Sequence, residues 1–308
     1  MTAGMPRWST LVDAESLVDR LGADHLHIFD CRFALNDTAA GETAWREAHV
    51  PGAHYANLDR DLSGPHRAGA GRHPWPDADA FGAWLGRCGV SPDAQVVAYD
   101  AGDGAYAARL WWLMKVFGHR DVAVLDGGLA RWSALGMPVD QAMPAPAPTQ
   151  YRGMFDNDRL LDAAAIPERL AAGELLVDAR AAERYRGEIE PIDRIAGHVQ
   201  GAVNRPYALN LRDGRFKSKD QLSAEFAALL DGQNPHQVIA MCGSGVTACH
   251  HLLAMAHAGL DGAQLFTGSW SGWIEDPARP VATVIDSEEG CRSTSSAMTA
   301  FSTACPPR

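Results

Sequence analysis

The chain repeats itself. LHIFDCR at 26–32 matches ELLVDAR at 174–180, each an apolar run that ends in an aspartate, Asp30 or Asp178, with an arginine two positions later. AHVPGAHYANL at 48–58 then matches GHVQGAVNRPYAL at 197–209, pairing His49 with His198 and Gly52 with Gly201. Further on, QVVAYDAGDGAYAARL matches QVIAMCGSGVTACHHL, and VLDGGLARW matches LFTGSWSGW. These matches in one order commit the chain to two similar units. Each copy reads as an apolar strand, a loop, a second strand ending in small residues, an amphipathic helix and a strand running into a glycine turn. Strands alternating with helices predict an α/β fold of two tandem domains, each a parallel sheet flanked by helices. The Pro- and Ala-rich stretch VDQAMPAPAPTQY cannot extend a helix and reads as the linker. The expected organisation is a first domain at 1–138, a linker at 139–151, a second domain at 152–284 and a tail at 285–308. The tail is rich in Ser and Thr, lacks periodicity and reads as flexible.

Composition narrows the partners. A formal net charge of −11 opposes nucleic acid and anionic membrane surfaces. No apolar run reaches the roughly 18 residues of a bilayer span, because Lys115 interrupts the richest stretch, RLWWLMKVFG. No transmembrane helix is expected. The N-terminal text MTAGMPRWSTLVDAESL has no basic start followed by an apolar block, so the expected location is cytoplasmic. The six cysteines, Cys31, Cys88, Cys242, Cys249, Cys291 and Cys305, form no CxxC pair. Neither a disulfide framework nor a zinc site is indicated, and no metal or cofactor is predicted.

The strongest chemical signal is the turn at QVIAMCGSGVTACHHLLAMAHAG. A β-rich strand ends at Cys242, Gly243 and Gly245 permit a tight loop, and a helix is predicted from about Val246. Cys242 thus stands at a helix N-terminus, where free backbone N–H groups favour a thiolate. Ser244 places a hydroxyl in the loop, available for a hydrogen bond to a substrate or for a purely conformational role. Thr247 is a candidate helix cap. The alternative reading is a core cysteine in a glycine turn. The repeat supplies a control: the matching position of the first copy is Asp100, which cannot act as a sulfur nucleophile.

These residues resemble the rhodanese family of tandem-domain sulfurtransferases, over most of the chain from about Ser9 to Val284. CGSGVTA at 242–248 is similar to the active loop of the 3-mercaptopyruvate branch, and HVPGA at 49–53, LDGGLARW at 125–132 and RYRG at 184–187 are further family marks. The resemblance implies a non-catalytic first rhodanese-like domain and a catalytic second one. It implies that Cys242 takes sulfur from a small-molecule donor as a persulfide and passes it to a thiophilic acceptor such as a thiol, thioredoxin or cyanide. The donor implied is 3-mercaptopyruvate, with thiosulfate the alternative. It implies that Arg184 binds the donor's carboxylate. The second arginine of that branch is missing: the text is EPID, with Ile192 in its place, and Arg194 two residues on is the substitute expected here. A Ser-His-Asp relay is implied as well, with His49 as its histidine and Asp37 as a loosely aligned acid.

Without the resemblance, Arg184 reads as a surface ion pair with Glu183 or Glu188, and His49 as a structural residue before a turn. Two rival function classes stand beside the sulfurtransferase. Phosphatases and arsenate reductases of this fold carry an arginine six residues after the cysteine, where this chain has Ala248. A non-catalytic binding module would not need a cysteine in a glycine loop. His250, His251 and His257 match no metal spacing and read as packing or solvated residues, and Cys249 reads as core. Asp30 and Asp178 read as acceptors for local backbone donors.

Overall fold

Short parallel strands of Val, Ile, Leu and Ala form the centre of each half in the computed structural model, which describes residues 7–284. In the first half the strands are β1 (Leu11–Val12), β2 (Leu26–Asp30), β3 (Ala53–Tyr55), β4 (Gln95–Tyr99) and β5 (Val122–Leu125). They lie in the order β1-β5-β4-β2-β3, and every pairing is parallel. The second half has β6 (Leu160–Leu161), β7 (Leu175–Asp178), β8 (Val203–Asn204), β9 (Val238–Met241) and β10 (Gln264–Phe266). Their order is β6-β10-β9-β7-β8, again all parallel. The second sheet repeats the first strand for strand, as the sequence repeat requires. A strand buried on both faces needs continuous apolar text, and β4 and β9 are buried at every position.

The two halves share one core. The helix Ala107–Val116 carries apolar residues on all sides, and all of it except Lys115 is buried. A helix that is apolar all round needs cover on all sides. It gets that cover from its own sheet and from the helix Ala248–His257 of the second half, so that Leu110, Trp111 and Trp112 join one apolar cluster with Val246, Cys249 and Leu252.

The stretch 139–151 contains no helix or strand, only a bridge between Asp140 and His49. Its far end packs on the helix Ala78–Arg87, where the Thr149 amide donates to the Gly86 carbonyl and Tyr151 is buried. The tail expected to be flexible, 285–308, lies outside the described residues. Among those residues no helix is long and apolar enough to cross a membrane.

Candidate active site

β9 delivers Cys242 to the C-terminal edge of the second sheet, where parallel sheets present ligand sites. The loop that follows is fixed from behind. The Cys242 amide donates to Ser269 Oγ at 3.0 Å, and the Cys242 and Gly243 carbonyls accept from the amides of Trp270 and Ser271. Ser269 adopts a positive φ of 48°, rare for a residue with a side chain, and its hydroxyl donates in turn to the Phe266 carbonyl. At Gly245 the loop turns with φ +73°, and a Cβ there would stand 2.3 Å from the Thr267 carbonyl oxygen. This position can only be glycine.

The helix begins at Ala248 rather than near Val246, because the left-handed turn at Gly245 spends Val246 and Thr247 on the bend. Thr247 occupies the N-cap position without a side-chain cap bond, which corrects the capping role expected for it. Val246 is buried in the shared core.

The two copies of this loop differ in what fills them. Asp100, at the matching position of the first half, is buried and accepts from the amides of Gly102, Gly104, Tyr106 and Ala107 at 2.9–3.1 Å. The loop is an anion cradle occupied by its own carboxylate. A cleft of about 580 Å³ lined by Arg32, Phe33, Asp103 and Tyr106 opens beside it. In the second half the amides from Gly243 to Ala248 donate to no protein acceptor among the described residues. The cradle around Cys242 is open.

Ser244 is held by a residue the sequence reading missed. Its Oγ lies 2.8 Å from His73 Nδ1, and His73 Nε2 lies 3.4 Å from the half-exposed Asp59 carboxylate. Burial, with Arg109 and Arg72 nearby, drives the His73 pKa down to about 3, so the ring is neutral at pH 7. With Nε2–H toward the carboxylate, Nδ1 accepts from the Ser244 hydroxyl. Both His73 and Asp59 come from the first half.

His49, expected in that role, is corrected. Its Nδ1 meets the Trp45 carbonyl at 2.7 Å, its Nε2 faces the Ala142 carbonyl and Asp140, and its ring stacks on Trp45. The repeat explains why: His198 likewise bonds the carbonyl of Tyr185 and stacks on that ring. Both histidines brace a turn. Asp37 accepts from the Ala39 amide in an exposed turn and contacts neither His49 nor Ser244.

Two guanidinium groups stand over the loop. A Cβ on Gly243 would lie 3.4 Å from Arg72 Nη2 and 3.7 Å from Arg184 Nη1 and Nη2. Arg184 is held by Glu190 at 2.7 Å and Asp193 at 3.1 Å, rather than by Glu183 or Glu188. Glu188 pairs instead with Arg186. Arg194, expected beside Arg184, donates to the Ile274 carbonyl and has no contact with the loop, and Ile192 is exposed.

Beneath the loop, fully buried Arg109 donates to the Gly245 carbonyl at 3.0 Å and to the Leu62 and His73 carbonyls, over the face of Trp75. Burial pulls its pKa below the usual guanidinium value, opposed by the thiols of Cys249 and Cys242. One buried cation thus ties the active loop to the segment that carries His73.

The remaining candidates are structural. Cys249 is buried with its thiol against the Gly245 carbonyl, and burial pushes its pKa up to about 12. His250 and His251 both accept from Asn210 and donate to the carbonyls of Asp103 and Arg205. His257 meets Thr10 Oγ1. Asp30 and Asp178 accept from the amide and guanidinium of Arg32 and Arg180. No cluster among the described residues could hold a metal ion.

A rhodanese-like domain model matches the chain twice, at residues 13–135 and 162–276. The "Probable 3-mercaptopyruvate sulfurtransferase" of Pseudomonas aeruginosa is 48% identical over 277 residues, covering 89% of this chain and 98% of that one. The thiosulfate sulfurtransferase of Rattus norvegicus is 34% identical, with 85% and 89% covered. Among solved structures, the 3-mercaptopyruvate sulfotransferase SseA of Escherichia coli superposes with a TM-score of 0.73 at 27% identity, covering 86% of this chain and all of that one. With two matching domains in tandem and relatives aligned along nearly their whole length, the chain belongs to the rhodanese-like family.

Proposed function

We propose that the protein is a sulfurtransferase that takes sulfur from 3-mercaptopyruvate as a persulfide on Cys242 and passes it to a thiophilic acceptor. The observation that carries this reading is the contrast between the two loops: Asp100 fills one amide cradle, and the other is open around a cysteine. The Cys242 thiolate attacks the donor's sulfur, the carbon–sulfur bond breaks, and its electron pair leaves on the carbon as the enolate of pyruvate. Solvent then protonates that carbon. The amides of Gly243 to Ala248 stabilise the anionic persulfide, and Ser244, held in place by His73 and Asp59, turns its one hydroxyl hydrogen from His73 Nδ1 to the donor's ketone oxygen as that oxygen gains charge. Arg184 binds the carboxylate. In the second half-reaction an acceptor thiolate, a thioredoxin thiol or cyanide attacks the outer sulfur and restores the Cys242 thiolate. The work is placed in a reducing cytoplasm, which keeps the acceptor thiols and the buried thiols of Cys31, Cys88 and Cys249 free.

Incubation with mercaptopyruvate and intact mass measurement test this. The expected result is a gain of one sulfur atom, matched by one pyruvate per chain and absent in Cys242→Ser. A sulfur gain that survives Cys242→Ser refutes the assignment. Mercaptopyruvate is expected to give a higher kcat/KM than thiosulfate, because the Ser244 hydroxyl, positioned by His73, meets a ketone oxygen that thiosulfate lacks. A higher value for thiosulfate reverses the donor.

A further inference from the structure

We propose that Arg109, contributed by the first domain and buried beneath the cysteine loop, is the counter-charge of the Cys242 thiolate and of the persulfide formed on it. The persulfide part rests on the sulfur-transfer reading; the thiolate part does not. Arg109 stands where local preference opposes it. It is the third residue of the helix Ala107–Val116, where the positive end of the helix dipole disfavours a cation, and it is fully buried. A residue that breaks local rules in this way marks a gain made elsewhere. Its hydrogen bonds go to the backbone carbonyls of Gly245, Leu62, His73 and Pro74, and no carboxylate pairs with it among the described residues. The groups beside it that can turn negative are the thiols of Cys249 and Cys242. Burial pushes Cys249 up to about 12, so that thiol keeps its proton at pH 7 and Cys242 is the one left to carry the charge.

The other charges around the loop cancel. Arg72, Arg180 and Arg184 are matched by Asp178, Glu190 and Asp193 in one set of ion pairs. His73 is neutral, and the Asp59 beside it is half-exposed. Arg109 is therefore the uncompensated charge. Its bond to the Gly245 carbonyl polarises the peptide whose other end is the Val246 N–H, one of the open amides of the cradle.

The inert copy shows the same cradle without a cation. There the carbonyl that matches Gly245 belongs to Asp103, and it accepts from His250 of the opposite half at 2.9 Å. The residue that matches Arg109 is His251. Burial lowers these rings to about 4 and about 3, so both are neutral at pH 7. Inside that cradle burial, reinforced by the charge of Asp103, pushes the Asp100 carboxyl up to about 6 against the pull of its amides. Amides alone do not offset the burial of an anion in this loop. The cysteine copy adds a permanent cation behind the corresponding carbonyl.

The test is the pH dependence of Cys242 alkylation by iodoacetamide, an uncharged reagent, on donor-free protein, with the modified residue identified by peptide mass. Arg109→Gln keeps a donor for the Gly245 carbonyl and removes the charge. Arg109→His supplies the side-chain type that the other copy packs at the matching position, which guards against a folding defect. Both are expected to move the half-maximal pH of alkylation up by roughly 1 unit or more, with the plateau rate at high pH little altered. Arg109→Lys keeps the charge and is expected to return most of that shift. Midpoints that stay put in Arg109→Gln and Arg109→His overturn the proposal, whatever happens to the plateau, and so does a shift that Arg109→Lys shares in full. With mercaptopyruvate, kcat/KM of the two uncharged variants is expected to fall about 10-fold or more at pH 7 and to recover toward wild type at pH 9. If wild-type protein forms no persulfide from mercaptopyruvate, the sulfur-transfer reading fails, while the alkylation profile still decides the role of Arg109.

Discussion

On the proposed mechanism Ser244 meets the donor's ketone and Arg184 its carboxylate, so the two should fail differently. Arg184→Ala removes a charge-assisted pair of about 1.5–3 kcal/mol, so KM for mercaptopyruvate should rise roughly 10- to 100-fold with a smaller change in kcat. Unchanged kinetics would leave Arg184 with only its Glu190 and Asp193 pairings. His73→Ala leaves Ser244 in place without the acceptor that aims its hydroxyl. It should lower kcat on the order of 10²-fold with KM little altered. A rise in KM alone would make His73 a contact of the bound donor rather than a positioning residue.

At the scale of the element, the active loop is a strand-to-helix turn whose shape is set by one glycine and one buried cation. Gly245→Ala would bring a Cβ to 2.3 Å from the Thr267 carbonyl oxygen in a backbone region that already costs an L-residue about 1–2 kcal/mol. Urea unfolding should show a loss larger than that figure, because the opposing atom is backbone and cannot step aside. A loss well under 1 kcal/mol would mean that the turn relaxes. The matching loop of the first half makes the complementary point. Asp100→Ala strips the acceptor from four amides, two of them buried and two part-buried, and should destabilise by about 2–3 kcal/mol, read as a lower urea midpoint at constant slope. A neutral result would mean that water takes over the cradle.

Across the whole molecule, the helix that packs against the first half carries two rings that must stay uncharged. His250 and His251 accept from Asn210 and donate to the Asp103 and Arg205 carbonyls, and burial lowers their pKa values to about 4 and about 3. The unfolded chain takes up protons on both near the ordinary value of 6.5, and the folded chain does not. Stability is therefore fully present above pH 6.5 and falls as the pH drops toward 4, with a slope of about 1.4 kcal/mol per pH unit for each ring. Urea midpoints at pH 7 and pH 5 should differ accordingly. His251→Gln should flatten that dependence whatever it does to stability at pH 7, and an unaltered slope would assign the acid sensitivity to other groups.

How much of this was legible depends on the range of the interaction. The repeat, the two parallel sheets and the cysteine at a glycine turn follow from local text: apolar runs of strand length, glycines where φ turns positive, and a helix directly behind Cys242. Internal comparison even exposed Asp100 as the inert counterpart. His73, Asp59, Arg72 and Arg109 were illegible, because GRHPWP lies in a stretch with no periodicity and more than 160 residues separate His73 and Arg72 from the loop they serve. His49 and Arg194 drew the expectation instead, one by the family resemblance and the other by its nearness to Ile192, where that branch carries its second arginine. Symmetry reproduces bracing residues in both copies, but a site between unlike surfaces occurs once, and its partners are chosen by how the domains pack. Only the folded contact between the segment 69–73 and Ser271, Glu275 and Asp193 brings a cation of one domain over the cysteine loop of the other.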